Sequence, residues 1–186
     1  MNMLIYTGIG SRSTPDDVLK QMEIIGEELA KAKWCLRSGY ADGADNAFGR
    51  GMAKVPDAQA QIFLPWPGFN GAPDFPHPWF HHSYSEEYEE QAMKYAAHVH
   101  PAWHNCSAGA KKLHTRNVYQ VYGANLDKVS DMVICWTPNG ETVGGTATAI
   151  RLALRAGIPI FNLGNADALD EACAFANRLS SKPLND

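Results

Sequence analysis

Met3-Leu4-Ile5-Tyr6-Thr7-Gly8-Ile9-Gly10-Ser11-Arg12-Ser13-Thr14-Pro15-Asp16-Asp17 reads as a strand, a glycine-bearing turn and the start of a helix. The run Met3 to Ile9 is short, apolar and broken by glycine, as a buried strand should be. Thr14, Pro15 and the two aspartates supply an N-cap, a pre-set φ in the first turn and acids suited to the helix dipole. Val18, Met22, Ile25 and Leu29 then recur on one face, which predicts a helix to about Lys33. Working outward, strand-like runs return at 34–38, 61–64, 131–136 and 158–163. Helical patterns fill 42–54, 85–97, 108–125, 145–156 and 166–179, with glycines in the first of these that call for close packing. Alternation of this kind predicts one α/β domain over 1–186, a doubly wound, mostly parallel sheet. The pattern fails from Pro65 to Ser83, a proline-rich and aromatic loop that opens an aromatic, histidine-rich insertion over 65–105.

Composition narrows the function. The chain has 186 residues, 45% hydrophobic and 19% charged, enough for a core without disulfides or metal. No apolar run nears the ~20 residues of a membrane span. The first residues are too short and too soon broken by glycine for a signal peptide, so a cytoplasmic protein with no membrane partner is expected. A net charge of −4 supplies no general basic surface, which disfavours nucleic acid as a partner. Cys35, Cys106, Cys135 and Cys173 lie far apart with no C-x-x-C pair, which argues against zinc and for reduced thiols. All seven histidines fall in one segment without an H-E-x-x-H pair. A solvated loop and helix face, with no metal, is the expectation there.

Ligands of an open parallel sheet bind beyond the carboxyl ends of its strands. Four loops fall on that edge: 8–12, 38–45, the aromatic loop after the third strand, and 137–146. Their glycines let backbone N–H groups approach a phosphate, and helix N-termini add a favourable dipole. An anionic, nucleotide-like ligand is therefore expected. Gly8-x-Gly10-x-x-Ser13 is only distantly like a dinucleotide fingerprint and no Walker lysine is present, so NAD chemistry and ATP hydrolysis are disfavoured and no cofactor is expected. Asp42 and Asp45 are candidates for ribose hydroxyls, or else caps of the second helix. Trp66 and Phe69 are candidates to stack on a base, with Asn70 reading its edge; the alternative is a small satellite core under the loop.

Gly10-Ser11-Arg12, Arg37-Ser38-Gly39-Tyr40-Ala41-Asp42-Gly43-Ala44-Asp45, Thr115-Arg116-Asn117 and Gly144-Gly145-Thr146-Ala147-Thr148-Ala149 resemble the successive signatures of the DprA-like proteins of the SLOG superfamily. That superfamily also contains the LOG phosphoribohydrolases. The order and approximate spacing match over most of the chain apart from the aromatic insertion. The resemblance implies a Rossmann-like fold with phosphate held by Gly144, Gly145 and Thr146, and with Ser11 and Arg12 nearby. Gly10, Gly39, Asn117 and Pro138 would complete the site, and Arg116 would lie across the pocket, where a guanidinium pairs with phosphate in a bidentate way. Otherwise Arg116 is a surface charge on an amphipathic helix. Members of the superfamily bind single-stranded DNA, hydrolyse nucleoside monophosphates or sense nucleotide-derived signals, and stand-alone copies occur in phage genomes.

The first function implied is binding of a nucleotide or ADP-ribose-like compound, to sequester or sense it. The second is cleavage of the N-glycosidic bond of a nucleoside phosphate, with Glu141 or Asp45 as the catalytic carboxylate. The third is single-stranded DNA binding. The hydrolase signature Pro-Gly-Gly-x-Gly-Thr-x-x-Glu puts Ala149 where its glutamate belongs, which weighs against the second. Superfamily members commonly self-associate, so a homo-oligomer is implied as well.

Overall fold

The computed structural model describes residues 3–73, 78–82 and 86–181. In chain order it holds β1 (Ile5–Gly8), α1 (Asp16–Lys31), β2 (Cys35–Ser38), α2 (Ala44–Met52), β3 (Gln59–Leu64), β4 (Phe80–His82) and α3 (Glu86–Val99). There follow α4 (Ala108–Tyr122), β5 (Met132–Cys135), α5 (Thr146–Arg155), β6 (Ile160–Asn162) and α6 (Ala168–Ser180). The strands make one six-stranded sheet in the order β4-β3-β2-β1-β5-β6, with every pair parallel.

Strand alternation divides the apolar side chains between two cores. Tyr6, Leu36, Ile62, Leu64, Met132 and Ile134 face one side, where Met22, Phe48 and Ala172 of α1, α2 and α6 cover them. Phe63, Val133 and Cys135 face the other, against Ala96, Tyr119 and Ile150 of α3, α4 and α5. The sheet is thus covered on both faces, the doubly wound arrangement expected from the alternating pattern. Of the glycines within α2, Gly51 is closely packed, whereas a Cβ on Gly49 would meet nothing within 4 Å. A Cβ on Gly51 would run into the Glu23 backbone, and one on Gly26 into that of Phe48, so α1 and α2 meet backbone to backbone.

Three expectations are corrected. The aromatic stretch is not wholly a loop: Phe80 to His82 add a sixth, edge strand to β3, in the register Ile62 to Phe80. Three residues amid prolines carry too little periodicity to be read as a strand. Thr14 is not the helix cap, because its hydroxyl donates to the Ser11 carbonyl at 2.6 Å and the helix begins behind Pro15. The second helix starts at Ala44, which leaves Asp42 exposed ahead of it. Phe75, Pro76 and His77 lie outside the described residues. Among the described residues no helix is long and apolar enough to cross a membrane.

This order sets the site. From β1 the chain steps outward through β2, β3 and β4, then returns to the opposite side of β1 for β5 and β6. The order reverses between β1 and β5, and a crevice opens beyond their carboxyl ends.

Candidate functional site

The crevice has a volume of about 370 Å³, within the range of small-molecule sites. The loop after β1 forms one wall with Gly10, Ser11 and Arg12, α4 forms the opposite wall, and Gly145 and Thr146 at the start of α5 close the end. Close backbone approach explains Gly10. A Cβ there would lie 2.6 Å from that of Ala44 and 3.2 Å from the Trp136 carbonyl. The Ser11 N–H donates to that same carbonyl at 3.1 Å, so the loop is pinned to the exit of β5.

Asp45 and Arg116 form the floor. Asp45, 4% exposed in the first turn of α2, accepts the N–H groups of Gly39 at 3.1 Å and Ala41 at 3.3 Å on Oδ2. Burial raises its pKa against the opposing pull of Arg116 and of those N–H groups. Arg116 is 7% exposed and therefore no surface charge. Its Nη1 donates to the Gly39 carbonyl at 2.8 Å and its guanidinium lies 5.6 Å from the Phe69 ring centroid. Burial lowers its pKa, Asp45 opposes that shift, and Arg12 adds to it. Its Nε has no hydrogen-bond partner. Gln120, one turn further along α4 and 1% exposed, lines the crevice with neither amide atom paired.

Among the other sequence candidates, Gly10, Ser11, Arg12, Asn117, Gly145 and Thr146 do line the crevice. Asn117 donates to the Gly145 carbonyl at 2.9 Å, tying α4 to the α5 turn. Gly39 lies behind the floor, where a Cβ would collide with the Arg116 guanidinium. Gly144, with φ 68°, is exposed beside Gly145. Asp42, Pro138 and Glu141 are exposed and stand outside the crevice lining. Asp42 accepts from Asn46 at 3.4 Å, and Glu141 meets Thr137 through its backbone carbonyl. Ala149, at the hydrolase glutamate position, is fully buried in the second core.

The aromatic candidates pack on the first core rather than on a separate satellite core. Phe69 is 4% exposed and belongs to the first core, and the half-buried Trp66 packs edge-on against it. With Arg116 against its ring, Phe69 has no open face for a base. Asn70 adopts φ 50° and donates to the Tyr40 carbonyl at 3.0 Å, which fixes the loop.

The sequence reading missed Gln120 and a histidine cluster. Gln120 follows Leu113, Arg116 and Asn117 at helical spacing, which was the available signal. His100 and His114 are half-buried, not solvated; with Cys106 they bring one ligand atom each within 4.8 Å of the others. His114 also lines the crevice, and burial first, then His100 and Arg116, push its pKa down to about 4.

No protein-family model matches the chain, and no curated protein matches it either. Two solved structures of the molybdenum cofactor (Moco) carrier protein of Chlamydomonas reinhardtii are similar in fold. One, 19% identical, has a TM-score of 0.51 and covers 96% of this chain and 85% of that chain. The other, 15% identical, has a TM-score of 0.55 and covers 97% of this chain and 100% of that chain. At that identity the likeness extends to the Rossmann-like α/β fold and no further.

Proposed function

We propose that the crevice binds a small molecule bearing a phosphate group, of the nucleotide class, and that the chain serves as its carrier or sensor. One observation carries this reading: Arg116 and Gln120 present unpaired polar atoms, nearly inaccessible to solvent, beside a crevice. Leaving such a group without a partner costs about 1–3 kcal/mol, a cost that a ligand supplying acceptors for Arg116 Nε and Gln120 Nε2 and a donor for Gln120 Oε1 removes. The start of α5 adds backbone N–H groups and a positive dipole end, and Arg12 adds an exposed charge at the rim. The structural neighbours are named as carriers of a cofactor, which is in keeping with small-molecule carriage on this fold. The motifs shared with DprA-like SLOG proteins favour a nucleotide over other anions.

Asp45 supports a second reading, hydrolysis of an N-glycosidic bond. A buried carboxyl with a raised pKa in a crevice wall suits a general acid. The alanine at the signature glutamate position weighs against it, as does the exposed place of Glu141 outside the crevice lining. The two readings separate on incubation with a panel of nucleoside phosphates, NAD and cyclic nucleotides, followed by denaturation and mass spectrometry. An intact, stoichiometric ligand supports binding. Free base with sugar phosphate supports hydrolysis instead, and recovery of neither removes both.

A further inference from the structure

We infer that His100, Cys106 and His114 form a binding site for one divalent transition-metal ion of the zinc class, beside the crevice that His114 lines. The site is independent of which small molecule the crevice takes. It is assembled by the connection between α3 and α4. His100 follows directly on the end of α3, and residues 101–107 fold back over the first turns of α4 through a short turn at Trp103–Asn105. Ser107 caps α4 by accepting the Ala110 N–H at 3.2 Å, which fixes Cys106 immediately before the helix. His114 stands two turns into α4, on the stripe that carries Ala110 along the crevice.

Bonds of about 2.0–2.3 Å in a tetrahedral zinc site put neighbouring ligand atoms roughly 3.3–3.6 Å apart. Here Sγ of Cys106 lies 3.8 Å from each ring nitrogen of His100, and all three ligand atoms fall within 4.8 Å. Small side-chain rotations close the rest. The supporting contacts are those a metal site needs. Nδ1 of His114 meets the Thr148 hydroxyl at 2.9 Å, which leaves Nε2 for an ion and holds the ring in place. The rings of His100 and His114 are 4.3 Å apart, and Trp103 packs on the edge of both. An ion on His100 takes the place of, or turns the ring from, one long hydrogen bond, that of the Ala102 N–H to Nδ1 at 3.2 Å.

Two imidazoles and a thiolate suit zinc and its neighbours rather than magnesium or calcium, which prefer oxygen. The thiolate offsets one of the two metal charges in a region that already holds Lys111 over Trp103 and Arg116 near His114. Three protein ligands leave a fourth position open. Because His114 lines the crevice, that position is within reach of a molecule bound there.

Chelator-treated, reduced protein titrated with cobalt(II) tests the site. One equivalent per chain is expected, with intense four-coordinate d–d bands and a thiolate-to-cobalt charge-transfer band that zinc then bleaches. Cys106→Ser should abolish the charge-transfer band, while Cys173→Ser and His104→Gln, at exposed positions, should leave it intact. His114→Gln should weaken cobalt binding at least about tenfold. Zinc should raise the melting temperature of the unaltered protein and not that of His100→Gln, a readout that does not depend on colour. The inference is overturned if no charge-transfer band forms, if the band survives Cys106→Ser, or if zinc stabilises His100→Gln equally.

Discussion

Two buried arginines, Arg37 and Arg116, contrast a residue whose hydrogen bonds build the fold with one that the proposed function assigns to a ligand. Arg37 is 2% exposed on β2. Its Nε donates to Gln61 at 2.7 Å and its Nη1 to the Lys128 carbonyl at 2.6 Å, with Val121 and Ser130 at 3.4 Å. It stitches β2 to β3 and to the segment that enters β5, and burial lowers its pKa to about 10. None of its buried nitrogens is left unpaired, whereas Nε of Arg116 is. Arg116 also borders a crevice, next to a glutamine whose amide is unpaired. Both arginines fall in the motifs that carry the sequence resemblance to DprA-like proteins, so motif membership did not separate them; hydrogen-bond completion does.

The comparison breaks or holds under substitution. Arg37→Met strands several buried acceptors and should cost about 2–4 kcal/mol of stability, read as a lower urea midpoint with crevice binding retained in the folded fraction. If Arg37→Met abolished binding without destabilising the fold, the structural role would be wrong. Arg116→Gln should do the reverse, weakening phosphate-bearing ligands by about 10–100-fold, as loss of a charged hydrogen bond does, for about 1–2 kcal/mol of stability.

Asp45 sharpens the contrast through pH. Its pKa is higher in the fold than in the unfolded chain. The native state therefore binds the extra proton, and stability falls as pH rises from the ordinary aspartate value of about 3.9 through the folded value, then levels. Asp45→Asn should remove that decline, seen as a flatter curve in denaturation at stepped pH; an unchanged curve would mean the carboxyl is not the group responsible. Glu141→Ala should have the smallest effect, under about twofold on binding and within about 0.5 kcal/mol in stability, as for an exposed surface position. A tenfold loss would restore Glu141 to the site.

Much of the sheet was legible because its central strands are continuous apolar runs closed by glycine or polar turns, as at Met3 to Ile9. The edge strand Phe80–His82 was not, since three residues among prolines show no period of two. Around the crevice, the glycine loops led to Gly10, Ser11, Arg12, Gly145 and Thr146, all of which line it, because close backbone approach leaves a local signature. Phe69 and Asn70 lie in a loop that carries no such local signature. Whether an aromatic loop covers a ligand or its own core depends on contacts distant in sequence, here with Arg116 and Tyr40. The grouping of His100, Cys106 and His114 likewise arises from the fold-back between two helices.

Arg116 offers the most direct test of the account. Isothermal titration of a nucleoside 5′-monophosphate and its parent nucleoside, against the unaltered protein and Arg116→Gln, isolates what the phosphate contributes. The monophosphate should bind the unaltered protein at least about tenfold more tightly than the nucleoside, and the gap should close in Arg116→Gln. A phosphate that adds nothing, or a gap that survives the substitution, would contradict the assignment of Arg116 to an anionic ligand.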